Sequence, residues 1–120
     1  GVISRFTEGI LREKRVTVFG DGGQTRDFVF VADVVQANML AANSSAPVNG
    51  RIFNVATGVR TSLQDLLNAF RDLTGEDFEV EHRDARPGDV RHSAAAIDRA
   101  AEELSYHPRY DMPKGLATLL

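Results

Sequence analysis

Short apolar strands alternate with amphipathic helices along this sequence of 120 residues, and the alternation predicts an α/β or α+β fold. The clearest helix is Leu63–Thr74, which carries one apolar stripe, begins after Ser62 as N-cap and ends at Gly75. The clearest strand is Phe28–Val31, a continuous apolar run typical of a strand that is covered on both faces. A glycine-rich turn, Gly20–Gly23, lies between this strand and the one before it.

The N-terminal half of the chain is predicted to contain two helices and three strands. They are the helices Val2–Leu11 and Val34–Ala42 and the strands Val16–Phe19, Phe28–Val31 and Ile52–Val55. We expect the Asp33 carboxylate to cap the second helix by accepting hydrogen bonds from its free amide groups. This helix has few polar positions and should be buried on more than one side. The segment Asn43–Gly50, with Pro47 and the Asn49-Gly50 pair, is predicted to be a loop.

The C-terminal half follows the helix Leu63–Thr74 with one strand and two short helices. Phe78–Glu81 alternates apolar and acidic residues, which indicates a half-exposed strand. Beyond a Pro-Gly turn, Val90–Ala95 is predicted to be extended. We expect Asp98 to cap the next helix, and Pro113 occupies a favourable first-turn position of the last one.

The composition is that of one soluble globular domain or part of one, with 42% hydrophobic and 26% charged residues. The absence of cysteine excludes disulfides, thiol catalysis and cysteine-ligated metal, and fits a cytoplasmic protein. A net charge of −3 argues against general nucleic-acid affinity, and no apolar run is long enough for a membrane span. The chain does not begin with Met, so we expect it to start inside a longer protein.

Two turns present an arginine that could bind an oxyanion. Arg26 follows the turn Gly20–Gly23, and Arg86 opens a Pro-Gly turn that ends at Asp89. A guanidinium can bind a phosphate or a carboxylate through two hydrogen bonds, and a diphosphate needs about two such contacts. Two plainer interpretations stay open from the residues alone: an Arg26–Asp27 ion pair on a solvated turn, and a solvated cluster of arginines around Arg86.

Metal ligation and nucleophilic catalysis have little support in the sequence. The histidines His82, His92 and His107 lack a metal-ligand spacing, so no metal site is predicted. No Ser-His-Asp arrangement can be argued either, and we assign no catalytic residue to this chain.

Four motifs, taken in order, resemble those of the extended short-chain dehydrogenases/reductases, specifically the NAD-dependent nucleotide-sugar epimerase/dehydratase family. They are Gly-Asp-Gly-x-Gln-Thr-Arg-Asp-Phe-Val-Phe-Val-x-Asp-Val-Val at 20–35, Phe53–Gly58 with Thr61-Ser62, Arg86–Ser93, and Leu104-Ser105-Tyr106-x-Pro108. Together they extend over nearly the whole chain. Within the family the strongest likeness is to UDP-glucose and UDP-N-acetylglucosamine 4-epimerases.

The resemblance implies that residues 1–120 form the C-terminal nucleotide-sugar-binding region of an α/β, extended Rossmann-type enzyme with about five helices. Enzymes of this family bind NAD on an N-terminal Rossmann domain and transfer protons with a Tyr-x-x-x-Lys pair, and we expect both to lie outside this chain. The complete protein would epimerise a UDP-sugar at C4 through a 4-keto intermediate. This chain alone would be inactive, with no cofactor-binding residue and no bound NAD.

The resemblance also implies roles for five residues. Arg26 and Arg86 would hold the diphosphate of the nucleotide sugar. Thr17 and Phe19, on the strand before the glycine turn, would line the uracil, and Asp89 would accept a hydrogen bond from a ribose hydroxyl.

Two other functions remain open at this point: a nucleotide-sugar dehydratase or decarboxylase of the same family, and a free-standing non-catalytic domain that binds a sugar nucleotide. We expect no nucleic-acid or membrane partner. Helix Val34–Ala42 and strand Ile52–Val55 are too apolar for elements with one wet face. We therefore expect them to be covered by an N-terminal domain or, in its absence, by a second copy of the chain.

Overall fold

The structure is a computed structural model that describes residues 1–45, 48 and 50–120. The chain divides into two units, each built from two stretches of sequence: Gly1–Gln24 with Ser62–Arg91, and Thr25–Thr61 with His92–Leu120. The helices are α1 (Val2–Glu8), α2 (Val31–Ala42), α3 (Leu63–Thr74), α4 (Asp98–Leu104) and α5 (Met112–Ala117). The strands are β1 (Arg15–Phe19), β2 (Thr25–Arg26), β3 (Thr61–Ser62) and β4 (Glu79–Arg83). The prediction of an α/β chain with about five helices is confirmed for the described residues.

In the first unit, β1 and β4 form a parallel pair in the register Arg15 opposite Glu79 to Phe19 opposite Arg83. The strand predicted over Phe78–Glu81 is therefore present, although it begins at Glu79 and continues to Arg83. Phe6 of α1 packs edge-on against Phe70 of α3, with ring centroids 6.4 Å apart. Both phenylalanines are buried, and with the inward residues of β1 they form the core of this unit.

The first predicted helix is only partly α-helical in the structure. The predicted helix Val2–Leu11 is α-helical over Val2–Glu8 and continues as a π-helix over Gly9–Glu13. The π-helix brings Gly9 so close to β1 that a Cβ atom there would lie 2.3 Å from the carbonyl oxygen of Arg15. A wider helical turn at this point thus lets the chain reverse into β1 at short range.

Helix α3 matches its prediction at both ends. The Ser62 hydroxyl accepts from the Asp65 amide at 3.0 Å, and the Asp65 carboxylate accepts from the Ser62 amide at 3.1 Å. Gly75 ends the helix in the left-handed conformation, with φ 65°. The Ser62 hydroxyl also donates to the Asp65 carboxylate at 2.6 Å. This bond and the one from the Ser62 amide hold the pKa of Asp65 below its usual value, the hydroxyl contributing most.

The second unit has a core of four buried residues, Ala37, Ala100, Leu104 and Tyr106. The Tyr106 hydroxyl donates to the carbonyl oxygen of Ala56 at 2.8 Å, and burial raises the pKa of this tyrosine. Asp111 caps α5 by accepting from the Lys114 amide at 2.9 Å. Proline lies in the first turn of α5, as predicted.

Two predicted strands and two predicted caps of this unit are wrong. Phe28–Val31 is not a strand, because α2 begins at Val31 with Phe30 as its N-cap. The predicted strand Ile52–Val55 pairs with no other strand of the described residues, although Phe53 and Val55 pack on the core.

Asp33 lies inside the first turn of α2 and accepts from the amides of Arg109 and Tyr110 at 2.9 and 3.1 Å. The Asp33 carboxylate therefore binds the distant segment Arg109–Tyr110 and not the start of its own helix, and α2 has no side-chain cap. In α4 the N-cap is Ile97, and Asp98 is the first helical residue. Its position in the first turn still favours the helix, because a carboxylate there faces the positive end of the helix dipole.

Helix α2 is also not buried on more than one side. Val31, Val35 and Met39 are 65, 54 and 58% exposed, and their spacing places them on one face of the helix. Within the predicted loop Asn43–Gly50, the residues Asn43–Ser45 lack regular structure, whereas Pro47 and Asn49 lie outside the described residues.

Candidate functional site

The first unit contains a cavity of about 290 Å³ whose walls come from α1, the π-helix, β1 and the end of β4. Arg5 and Gly9 lie on the helical side, and Thr17 and Phe19 lie on β1. Arg86, which follows β4, completes the site. Three of the five residues predicted to bind substrate, Thr17, Phe19 and Arg86, are thus brought together.

The Arg86 guanidinium lies over the Phe19 ring, with Cζ 3.8 Å from the ring centroid. The Asp89 amide donates to the Arg86 carbonyl at 3.1 Å, which closes the predicted turn, and Gly88 takes a φ of 79°. A guanidinium stacked through its face keeps the N–H donors at its edge available for an oxyanion. No carboxylate among the described residues pairs with Arg86, so this side chain is a cation free to bind an anion.

The neighbouring arginines behave as the plainer interpretation predicts. Arg83 forms two hydrogen bonds with Glu81, at 3.0 and 3.1 Å, and this pairing lowers the pKa of Glu81. Arg91 binds Asp21 at 2.6 and 2.9 Å and holds the pKa of that carboxyl far below its usual range. Arg83 and Arg91 are therefore surface ion-pair partners, which leaves Arg86 as the distinctive residue of this cluster.

The Asp21–Arg91 pair also lies against one glycine of the turn. A Cβ atom on Gly23 would lie 2.7 Å from the Arg91 guanidinium, and the Gly23 amide donates to Asp21 at 2.9 Å. Gly20 and Gly22 have φ values of 83° and 78°, which side chains disfavour. The glycine turn is thus fastened to the segment after Arg86.

Arg26 belongs to the second unit, where its guanidinium donates to the Thr25 carbonyl at 2.8 Å. A joint action of Arg26 and Arg86 on one diphosphate stays a prediction. Asp89 lies in the turn that begins at Arg86, and its contact with a ribose stays a prediction as well.

Asp27 has a structural role, as a hydrogen-bond acceptor between segments, that the sequence analysis missed. Its carboxylate accepts from the Thr57 amide and hydroxyl at 2.8 and 2.5 Å, from the Gly58 amide at 2.9 Å and from the Ala95 amide at 3.4 Å. Asp27 therefore joins three segments of the second unit. No local sequence pattern announces this role, because its partners lie 30 and 68 residues away.

One Tyr-x-x-x-Lys spacing does occur in the chain, at Tyr110 and Lys114, and the sequence analysis missed it. The Lys114 ammonium lies over the Tyr110 ring, 4.5 Å from its centroid, and donates to the Arg109 carbonyl at 3.1 Å. The other neighbour of the ring is Phe30, with centroids 4.6 Å apart. The lysine thus contacts the ring face, so this geometry supports packing at the start of α5.

Two larger cavities, of about 440 and 400 Å³, lie in the second unit. The first lies between the ends of α2 and α4 and includes Met39 and Glu103. The second includes Ile52, Asn54 and Arg99, and the Arg99 guanidinium donates to the Ile52 carbonyl at 3.3 Å. The cavity of the first unit is smaller, but it combines an aromatic ring, Phe19, with a cation that has no carboxylate partner among the described residues, Arg86. This combination is the chemistry that a nucleotide needs.

None of the described helices is long and apolar enough to cross a membrane.

Comparison with known proteins agrees with the resemblance seen in the motifs. Residues 1–56 match the profile of the NAD dependent epimerase/dehydratase family. The chain is 39% identical over 117 residues to a UDP-glucose 4-epimerase of Mycolicibacterium smegmatis, covering 98% of this chain and 37% of that protein.

Two solved structures share the fold of nearly the whole chain. The UDP-glucose 4-epimerase of Thermotoga maritima, solved with UDP-glucose, superposes with a TM-score of 0.88 at 38% identity, over 98% of this chain and 37% of that one. The UDP-glucuronic acid 4-epimerase of Bacillus cereus, solved with UDP-glucuronic acid and NAD, gives 0.90 at 26% identity, over 97% and 37%.

The chain is therefore similar in sequence and in α/β fold to the NAD-dependent nucleotide-sugar epimerases and dehydratases. More particularly, it resembles their UDP-glucose 4-epimerases, and it spans a little over a third of the length of the relatives it matches.

Proposed function

We propose that this chain is the nucleotide-sugar-binding region of an NAD-dependent 4-epimerase, and that the first unit supplies part of the site for a UDP-sugar. The observation that carries the proposal is the Arg86 guanidinium, stacked on Phe19 beside the cavity and without a carboxylate partner among the described residues. The similar structures from T. maritima and B. cereus hold UDP-sugars, which supply the chemistry that such a site would recognise.

In this proposal the residues of the first unit bind and orient the nucleotide. Phe19 offers an aromatic edge and Thr17 a hydroxyl on the same strand, two residues apart and so on one side of β1, to the uracil. Arg86 binds the diphosphate, and Asp89 accepts a hydrogen bond from the ribose. These contacts bind the nucleotide part of the substrate, which does not react, and the binding energy positions the sugar for a reaction carried out by other residues of the enzyme.

NAD supplies the hydride chemistry by which such enzymes oxidise and reduce the sugar at C4, through a 4-keto intermediate. The glycine turn of this chain does not fit that cofactor. The turn after β1 leads into the two-residue strand β2, whereas a dinucleotide site needs a glycine turn that opens a helix. We therefore place NAD and the proton-transferring groups of the complete enzyme outside residues 1–120.

Calorimetric titration with UDP tests the proposal. Arg86→Ala should weaken binding by about 2 kcal/mol, roughly thirty-fold, as expected for a lost charge-assisted contact. Arg71→Ala is the matched control, because Arg71 stacks on Phe78 at 4.6 Å in the same manner but lies outside the cavity lining. If the two variants bind UDP as tightly as the wild type, the assignment of the diphosphate to Arg86 is wrong.

A further inference from the structure

The first unit contains eight arginine and lysine side chains, and their partners divide them into two groups. Five form ion pairs with carboxylates: Arg12 with Glu8, Lys14 with Glu76, Arg15 with Glu79, Arg83 with Glu81 and Arg91 with Asp21. The other three are Arg5, Arg71 and Arg86, for which the described residues provide no carboxylate partner. Three arginines of the unit are therefore without an ion-pair partner among the described residues.

Two of these three unpaired arginines, Arg5 and Arg86, line the same cavity. Arg5 projects from α1 and Arg86 from the turn after β4, so each approaches the cavity from a different element. The third, Arg71, lies over the Phe78 ring and outside the cavity lining. Two like charges at one cavity repel each other, and the repulsion is relieved when an anion lies between them.

The glutamates of the cavity do not cancel this charge. Glu8 is bound by Arg12 at 3.1 Å, which leaves Glu13 as the carboxylate without an ion pair among the described lining residues. Two unpaired guanidiniums against one such carboxylate leave an excess of one positive charge. The site thus favours an anionic ligand over a neutral one.

We propose that Arg5 is a second diphosphate-binding residue, acting with Arg86 from within the first unit. This inference rests on the proposed function. A diphosphate offers two phosphoryl groups, and two separate guanidiniums can each donate to one of them. The first unit would then hold a nucleoside diphosphate by its own two cations.

The test compares UDP with uridine, because uridine lacks the phosphates that Arg5 is proposed to bind. UDP affinity is measured by calorimetry, and uridine affinity by chemical-shift titration. Arg5→Gln keeps a helix-forming residue and should weaken UDP binding about tenfold while leaving uridine binding unchanged. Arg5→Lys retains the charge and should stay within about threefold of the wild type. Lys14→Gln, which breaks an exposed pair with Glu76 outside the cavity lining, is the control and should bind both ligands normally.

Three results would overturn the inference, and they differ from one another. If Arg86→Ala weakens UDP binding and Arg5→Gln does not, Arg5 plays no part while the proposed function stands. If Arg5→Gln weakens uridine as much as UDP, its effect is on the fold of α1. If the wild type binds no UDP, the proposed function itself fails.

Discussion

Gly9→Ala is a substitution for which local propensity and packing predict opposite signs. Gly9 has helical dihedral angles, φ −61° and ψ −41°, so helix propensity alone predicts that alanine stabilises the protein by about 1 kcal/mol. The structure predicts the reverse, because the new Cβ would lie 2.3 Å from the Arg15 carbonyl oxygen and 3.5 Å from a Val16 methyl. The Arg15 carbonyl belongs to the backbone of β1, which pairs with β4 along five residues.

The size of the change in the free energy of unfolding depends on which part of the backbone must move to relieve this contact. A carbon and a carbonyl oxygen separated by 2.3 Å are about 1 Å inside their contact distance, so either β1 or the π-helix must shift. Overpacking of this kind costs about 1–3 kcal/mol, and the rigid backbone target places Gly9→Ala at the upper end. After the propensity gain of about 1 kcal/mol, the free energy of unfolding should fall by about 2 kcal/mol.

Urea denaturation followed by circular dichroism measures this loss, which corresponds to a fall in melting temperature of about 8 °C. Gly115→Ala is the control, since Gly115 is also helical but faces the Phe30 side chain at 3.2–3.4 Å. That ring can yield by a few tenths of an ångström, so this variant should stay within about 1 kcal/mol of the wild type. A Gly9→Ala protein more stable than the wild type would refute the packing argument.

Three further predictions concern the helix cap, the buried junction and the apolar face. Ser62→Ala should lower the free energy of unfolding by about 1 kcal/mol at neutral pH. The pKa of Asp65 is lower in the folded protein than its usual 3.8. The difference in free energy of unfolding between Ser62→Ala and wild type should therefore be complete above pH 3.8 and shrink as the pH falls through the folded-state pKa. A difference that stays constant in acid would contradict this. Asp27→Asn should cost about 2 kcal/mol in thermal melts, because an amide nitrogen would face the donors of Thr57 and Gly58, whereas the exposed Asp98→Asn should change little. The uncharged exposed stripe of α2 should drive self-association of the chain, which light scattering detects and Val35→Lys should weaken; a monodisperse wild-type monomer would show that this face needs no cover.

Helix α3 shows what the sequence alone could predict. Its apolar stripe, the Ser62 cap with Asp65 three residues on, and Gly75 all lie within fourteen consecutive residues, 62–75, so every signal is local. Strand β1 and the last helix were predictable for the same reason. Where neighbours along the chain settle the conformation, the periodic pattern is enough.

The second unit shows where such reasoning stops. Phe28–Val31 has the composition of a buried strand, yet α2 begins at Val31, and Asp33 binds backbone amides 76 and 77 residues away. Ile52–Val55 has the right alternation, with Phe53 and Val55 inward, but its edge has no strand beside it among the described residues. Strand formation depends on a partner, which a single segment cannot reveal.

The candidate site divides in the same way. The Arg86 turn was predictable from its Pro-Gly motif, and Thr17 and Phe19 from the family resemblance. Arg5 was not, because nothing in the sequence shows that its neighbours are paired with carboxylates while it is not. The distinction between paired and unpaired cations requires the structure.

The central claim is that the cavity of the first unit binds the nucleotide diphosphate, and amide chemical-shift mapping with UDP tests it most directly. We predict that saturable shifts concentrate at Arg5, Gly9, Thr17 and Phe19, with half-saturation moved to higher UDP concentration by Arg86→Ala. Shifts confined to Asn54 and Arg99, which line the 400 Å³ cavity of the second unit, or no shifts at millimolar UDP, would contradict the claim.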